Sequence, residues 1–379
     1  MVKLLQTIMQ IAILAMLTMV TAIPPLDNSK LNTAPRYAVG DGCLEAARAE
    51  GAPCIFAFGR DAGNGQPIIW QALSLDNDFD CRTPKKDEGI YAVSQSLLGS
   101  LSNCSYVDLG AGETLETWGS GVEESLSASE LNAVAETFTN GVTDGVYQEA
   151  ALRGDKVFLP SVADALYEKE LLLVSEGFAD DAEALDERWW TRSRVAGDSL
   201  RAWGVNQQGK LFVGYGGMRL GGRAAINIDK SDLLLTCFGL QEQELCKDVC
   251  FTSFLERPSQ CEIGDVVTML LKSNRMPNPH CEAWERKGNF LSVQVAVDSA
   301  PEDSFLSAVV VSEDARGSYS VEAFGRLAEL GDQPFSQQVR MRIPLLNSTV
   351  VARELWVFVE CGSDGVSREV SSCPEKVQL

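Results

Sequence analysis

The chain has 379 residues, 53 acidic against 32 basic, and a net charge of −21. That length accommodates two domains or one large one. The acidity argues against nucleic acid and anionic membrane surfaces as partners and is read as a means of solubility.

Residues 1–22 read as a secretory signal peptide. Lys3 supplies a positive start, an apolar run follows, and "VTA" ending at Ala22 is a small-residue cleavage site. No later segment holds the ~20 apolar residues of a membrane span. The protein is therefore expected to be secreted or extracellular, with no membrane span. Export also explains the eleven cysteines, at positions 43, 54, 81, 104, 237, 246, 250, 261, 281, 361 and 373. In an oxidising compartment they read as disulfides. The odd count leaves one thiol free or paired with another chain. His280 is the only histidine and no CxxC pair occurs, which argues against a zinc site. Asn103 and Asn347 begin glycosylation sequons that would be used in a eukaryotic host.

Residues 23–40 are polar and aperiodic, a linker. "PCIFAFGR" and "QPIIWQALSL" read as strands around the turn "DAGNGQ", and "GIYAVSQSLL" as a third. Ser127 followed by Glu130 predicts a capping box, and Leu131, Val134, Ala135 and Phe138 continue the helical period. Ser161 is placed to cap a helix from Val162. Residues 237–283, dense in cysteine, read as a stapled connector. From "FLSVQVAVDS" onward the chain alternates apolar and polar residues with period two, which predicts a β-sandwich over 284–379.

A series of motifs runs through residues 55–230. It comprises Phe58-Gly59, Pro67 to Leu73 with Trp70, then Trp118, Asp155 to Ser161, Trp189 to Ser193, and Gly222 to Ile226. Their order resembles a large family of secreted bacterial domains of unknown function with "WWLRS" and "GVRPAL" motifs. Pro160 and Thr191 stand where that family usually has Leu, and Ala224 where it has Pro. The ending is similar to the C-type-lectin-like fold shared with formylglycine-generating enzymes. The strands after 284 resemble the small Ig-like β-domain that follows such modules. The resemblance implies an α+β chain, with a C-type-lectin-like domain over 41–236 followed by an all-β Ig-like sandwich.

Residues 188–228 concentrate three of the seven tryptophans and six arginines. Trp70, Trp118, Trp189 and Trp190 are expected to be framework, with one of the adjacent pair 189 and 190 reaching a surface. Arg192 and Arg223 are expected to be paired framework cations, with Asp155 or Asp186 as candidate partners. The glycines of "GYGGMRLGG" lack the Lys-Ser/Thr of a phosphate loop and predict a tight hairpin with positive φ. "DNDFD" at 76–80 lacks full EF-hand spacing, so no metal is assigned. No catalytic residue and no cofactor is assigned either, since a Ser-His-Asp or Cys-His arrangement would need His280, in a Pro-rich loop.

The leading expectation is a secreted, non-catalytic binding or surface-associated protein. Its extracellular ligand is undefined, and Trp203, Tyr215 and Arg219 are the candidate contact patch. The alternatives are a sulfatase-modifying enzyme of the formylglycine-generating type, and a structural component of an extracellular matrix or coat.

Overall fold

The computed structural model describes residues 37–61, 63, 65–82, 89–101, 112–167, 188–216, 218, 220–238, 266–343, 352–361 and 370–379. Short β-branched and aromatic runs, cut by Gly, Asn and Asp, make strands the dominant element. The first stretch holds β1 (Tyr37–Val39), α1 (Gly42–Ala49), β2 (Ile55–Arg60), β3 (Pro67–Asn77), β4 (Gly89–Ser94) and β5 (Ser100–Leu101). The helical middle holds α2 (Gly112–Glu123), α3 (Ala128–Ala133), β6 (Thr137–Phe138), β7 (Tyr147–Glu149), β8 (Arg153–Asp155), β9 (Val157–Phe158) and α4 (Val162–Tyr167). Then come β10 (Trp189–Val195), β11 (Arg201–Val205), β12 (Leu211–Tyr215), β13 (Leu220–Gly222), β14 (Ala225–Asp229) and β15 (Leu233–Phe238). The remainder is β16 (Val267–Lys272), β17 (His280–Lys287), β18 (Phe290–Val297), β19 (Ser304–Glu313), β20 (Tyr319–Glu329), β21 (Phe335–Arg342), β22 (Ala352–Cys361), β23 (Val370–Ser371) and β24 (Glu375–Gln378).

The protein is thus β-rich, and an α+β description fits it weakly, because α2, its longest described helix, has twelve residues. A 13-stranded sheet runs β20-β19-β22-β23-β16-β2-β3-β4-β14-β9, with β1, β15 and β24 attached off this path. A six-stranded sheet runs β12-β11-β10-β13-β5, with β7 on β10. Strands β17-β18-β21 and β6-β8 form two smaller sheets.

The cores explain the layering. Phe56, Trp70, Leu75, Ile90, Ile226 and Phe238 share one core with Leu44 of α1 and Val122 of α2. Alternate residues of β18, Leu291, Val293 and Val295, meet Leu306, Ala308 and Val310 of β19 across a second core. The intervening β19 residues Val309 and Val311 pack with Leu234, Leu235 and Leu270 of β15 and β16. Burial on both faces makes β19 a nearly continuous apolar run rather than an alternating one. Residues 237–283 contribute β16, which lies in the main sheet between β23 and β2 and also pairs β15. The described residues fall in one compact unit.

Local signals hold where they are short-range. The capping box of Ser127 and Glu130 is formed on both sides. Ser161 Oγ accepts from Asp164 N at 3.1 Å at the start of α4. The helix from Ser127 is shorter than its apolar period predicts. It stops at Ala133, because Val134 turns to extended backbone and bridges Ile228, while Ala135 N donates to Asn227 O. Pairing with the sheet overrides the helical period there. Residues 1–36, and with them the predicted cleavage site, lie outside the described residues.

Candidate functional site

Strand β10 is clamped from both faces, which settles the two adjacent tryptophans. Trp189 packs with Leu152, Phe158 and Val205, and Trp190 with Leu159, Ala202 and Leu220. Both are fully buried, so the expectation that one reaches a surface is corrected. Trp70 is fully buried, its indole N–H donating to Phe58 O at 2.7 Å. Trp118 on α2 is half-buried and donates to Leu98 O.

Glycines make these aromatic seats. A Cβ on Gly222 would sit 2.6 Å from Trp118, one on Gly214 2.5 Å from Trp190, and one on Gly204 2.7 Å from Phe212. Close approach, not positive φ, fixes Gly214, Gly221 and Gly222. The hairpin predicted for "GYGGMRLGG" is corrected in its pairing, while Gly217, within the turn that Met218 N closes by donating to Tyr215 O at 2.9 Å, lies outside the described residues. Strand β13 pairs in parallel with β10, not with β12.

The buried cations find partners other than those expected. Arg192 pairs Glu149 at 3.3 Å and donates to Ala150 O at 3.1 Å. The β7–β10 register, which sets Ser193 opposite Glu149, makes this pair. Asp155 instead accepts from Arg153 N at 2.8 Å, and Asp186 lies outside the described residues. Arg223 donates from Nε to Ser94 O at 2.8 Å, and its guanidinium lies 5.4 Å from the Trp189 ring centroid. Desolvation lowers its pKa to about 10. Nearby, Tyr91 donates to Asp164 Oδ2 at 2.9 Å. Burial, reinforced by the negative charge of Asp164, pushes the Tyr91 phenol well above its ordinary range. These carboxylates are taken up by a cation or by capping donors, which marks them as structural.

The exposed chemistry lies one strand away. Strands β11 and β12 pair Arg201 with Tyr215, Trp203 with Val213 and Val205 with Leu211. Paired residues share a face, so Arg201, Trp203, Val213 and Tyr215 lie together. Tyr215 is 56% and Val213 39% exposed, and Trp203 is half-buried. Asp198 accepts from Arg201 Nε at 2.6 Å, and that bond holds its carboxyl below the ordinary range. The structure therefore brings Trp203 and Tyr215 onto one surface, while Arg219 lies outside the described residues.

Sequence reasoning missed Val213, Phe212 and Lys210, although "KLFVGY" carried a signal: a strand alternating two faces with no charge inside it. β12 is an edge of its sheet. Asn206 N donates to Lys210 O at 2.9 Å and Gly216 N to Leu200 O at 2.9 Å. Antiparallel bonding alternates, so the bonded pairs between these are Gly204–Phe212 and Ala202–Gly214. The N–H groups of Leu211, Val213 and Tyr215 consequently point away from β11.

The remaining candidates are occupied or lie elsewhere. Asp76 of "DNDFD" accepts from Lys230 at 2.9 Å and faces Arg48 at 3.5 Å, and Asp80 pairs Arg82 at 3.1 Å. No group of metal-ligating side chains occurs among the described residues. His280 is exposed at the start of β17. Cys81 and Cys373 are exposed thiols, Cys54 and Cys361 buried ones, and Cys281 is half-buried, its thiol pushed up to about 11 by burial. Cys104, Cys246, Cys250 and Cys261, and the sequons at Asn103 and Asn347, lie outside the described residues. Among the described residues no helix is long and apolar enough to cross a membrane. No protein-family model, no curated protein and no solved structure matches the chain.

Proposed function

We propose that this is a secreted, non-catalytic binding protein whose contact surface is the exposed face of the β11–β12 hairpin. The observation that carries the reading is Tyr215, more than half exposed, beside exposed Val213 and half-buried Trp203 on one face. Aromatic side chains are favoured recognition anchors because they offer large contact area at small entropic cost. The seats behind them are rigid, since Trp189 and Trp190 are packed to full burial. A surface held this firmly loses little entropy on binding. The signal-like N-terminus supports export, the motif series from Phe58 to Ile226 supports a C-type-lectin-like module, and the period-two strands after 284 support an Ig-like one. A glycan and cell-surface screen with labelled protein tests the reading. Tyr215→Ala and Trp203→Ala should each abolish the binding found, and Tyr215→Ala should leave the melting temperature within about 1 °C, as expected for an exposed side chain. Unchanged binding in both variants would refute it.

A further inference from the structure

We infer that β12 is a docking edge for an extended segment of another protein, one in which acidic and apolar residues alternate, added to the sheet as its next strand. This inference rests on the binding reading above and names the partner's chemistry.

The backbone is available for it. Among the described residues the outward N–H groups of Leu211, Val213 and Tyr215 donate no hydrogen bond and the outward C=O groups of Leu211 and Val213 accept none, while Tyr215 O accepts from Met218 N at 2.9 Å. Edge strands are normally protected by charges, proline or bulges. The longer edges of this protein follow that rule: β17 reads "HCEAWERK", β20 "YSVEAFGRLAE" and β21 "FSQQVRMR". β12 reads "LFVGY", in unbroken register with β11. It carries no such protection.

The two faces of the edge select the partner. An incoming strand points alternate side chains to opposite faces. One face presents Val213 and Tyr215, which suits apolar side chains. The other presents Phe212, with exposed Lys210 beside it. That face suits carboxylates. The chain's −21 charge does not cancel this preference, because charges beyond about 8–10 Å are largely screened at physiological salt. A second copy fits less well, since it would bring a second Lys210 to the same edge.

The test is fluorescence polarisation with the full chain and a labelled peptide of alternating glutamate and valine. Val213→Pro removes an outward N–H and leaves the bonds of Phe212 and Gly214 in place. The peptide should bind the wild type, and Val213→Pro and Lys210→Glu should each weaken it at least ~10-fold without lowering the melting temperature. An alternating lysine–valine peptide should bind at least ~10-fold more weakly. If Val213→Pro fails to fold, Val213→Lys, which charges the edge without touching the backbone, should give the same loss. Absence of wild-type binding would overturn the inference, as would equal binding of a glutamate–proline peptide that cannot form a ladder. A wild-type dimer dissociated by Val213→Pro would assign the edge to a second copy and overturn it too. If Tyr215→Ala abolishes cell-surface binding while Val213→Pro does not, strand addition fails and the binding surface stands.

Discussion

Gly214→Ala is the most informative single change, because it touches the seat of the hairpin and not its exposed face. The added methyl would lie 2.5 Å from Trp190 Cη2, 2.9 Å from Cζ3 and 3.2 Å from Phe212 Cε2. Carbon atoms in contact sit roughly 3.5–4.0 Å apart, so one partner must move by about 1 Å. Trp190 is fully buried, between Leu159, Ala202 and Leu220, so the strain falls on a packed core or on the β12 backbone. Overpacking of this kind costs about 1–3 kcal/mol. At roughly 2–4 °C per kcal/mol the melting temperature should fall by several degrees. Urea unfolding followed by tryptophan fluorescence measures the loss directly. Trp190→Phe in the same chain should recover part of it, giving a coupling energy of about 0.5–3 kcal/mol. A neutral Gly214→Ala, or two additive substitutions, would show that β12 does not rest on Trp190.

Other perturbations reach other layers. Trp70→Ala removes a fully buried ring and should cost about 3–5 kcal/mol in urea unfolding. Glu149→Ala strands the buried Arg192 charge and should cost about 3–5 kcal/mol, whereas Arg192→Met with Glu149→Leu should recover most of that loss. The hydrogen bond from Lys230 holds the Asp76 carboxyl below its ordinary range. A depressed carboxylate contributes stability above its unfolded pKa, about 3.9, and loses it as pH falls through the folded value. Lys230→Met should therefore raise the Asp76 titration midpoint in an NMR pH series, and an unmoved midpoint would refute the pairing.

What could be read in advance was what the chain decides locally. Ser127 and Glu130 are three residues apart, and their capping box needs no tertiary partner. Strands β2, β3 and β4 announced themselves by apolar runs around Gly and Asn turns. The partner of Arg192 could not be read this way, because Glu149 lies 43 residues earlier and meets it only through the β7–β10 register. Nor could the reason for Gly222, whose missing Cβ leaves room for Trp118 on a distant helix. The Trp203–Tyr215 face was half legible. Aromatic residues at that spacing marked a surface, but whether β12 is central or an edge is a property of the whole sheet.

Docking at β12 requires an open edge, and amide hydrogen exchange measured residue by residue tests that without any ligand. The alternating ladder predicts slow exchange at Phe212 and Gly214, which bond to β11, and fast exchange at Leu211, Val213 and Tyr215, which face outward. Protection of all five amides would mean that the edge is already covered, and it would contradict the docking surface proposed for this protein.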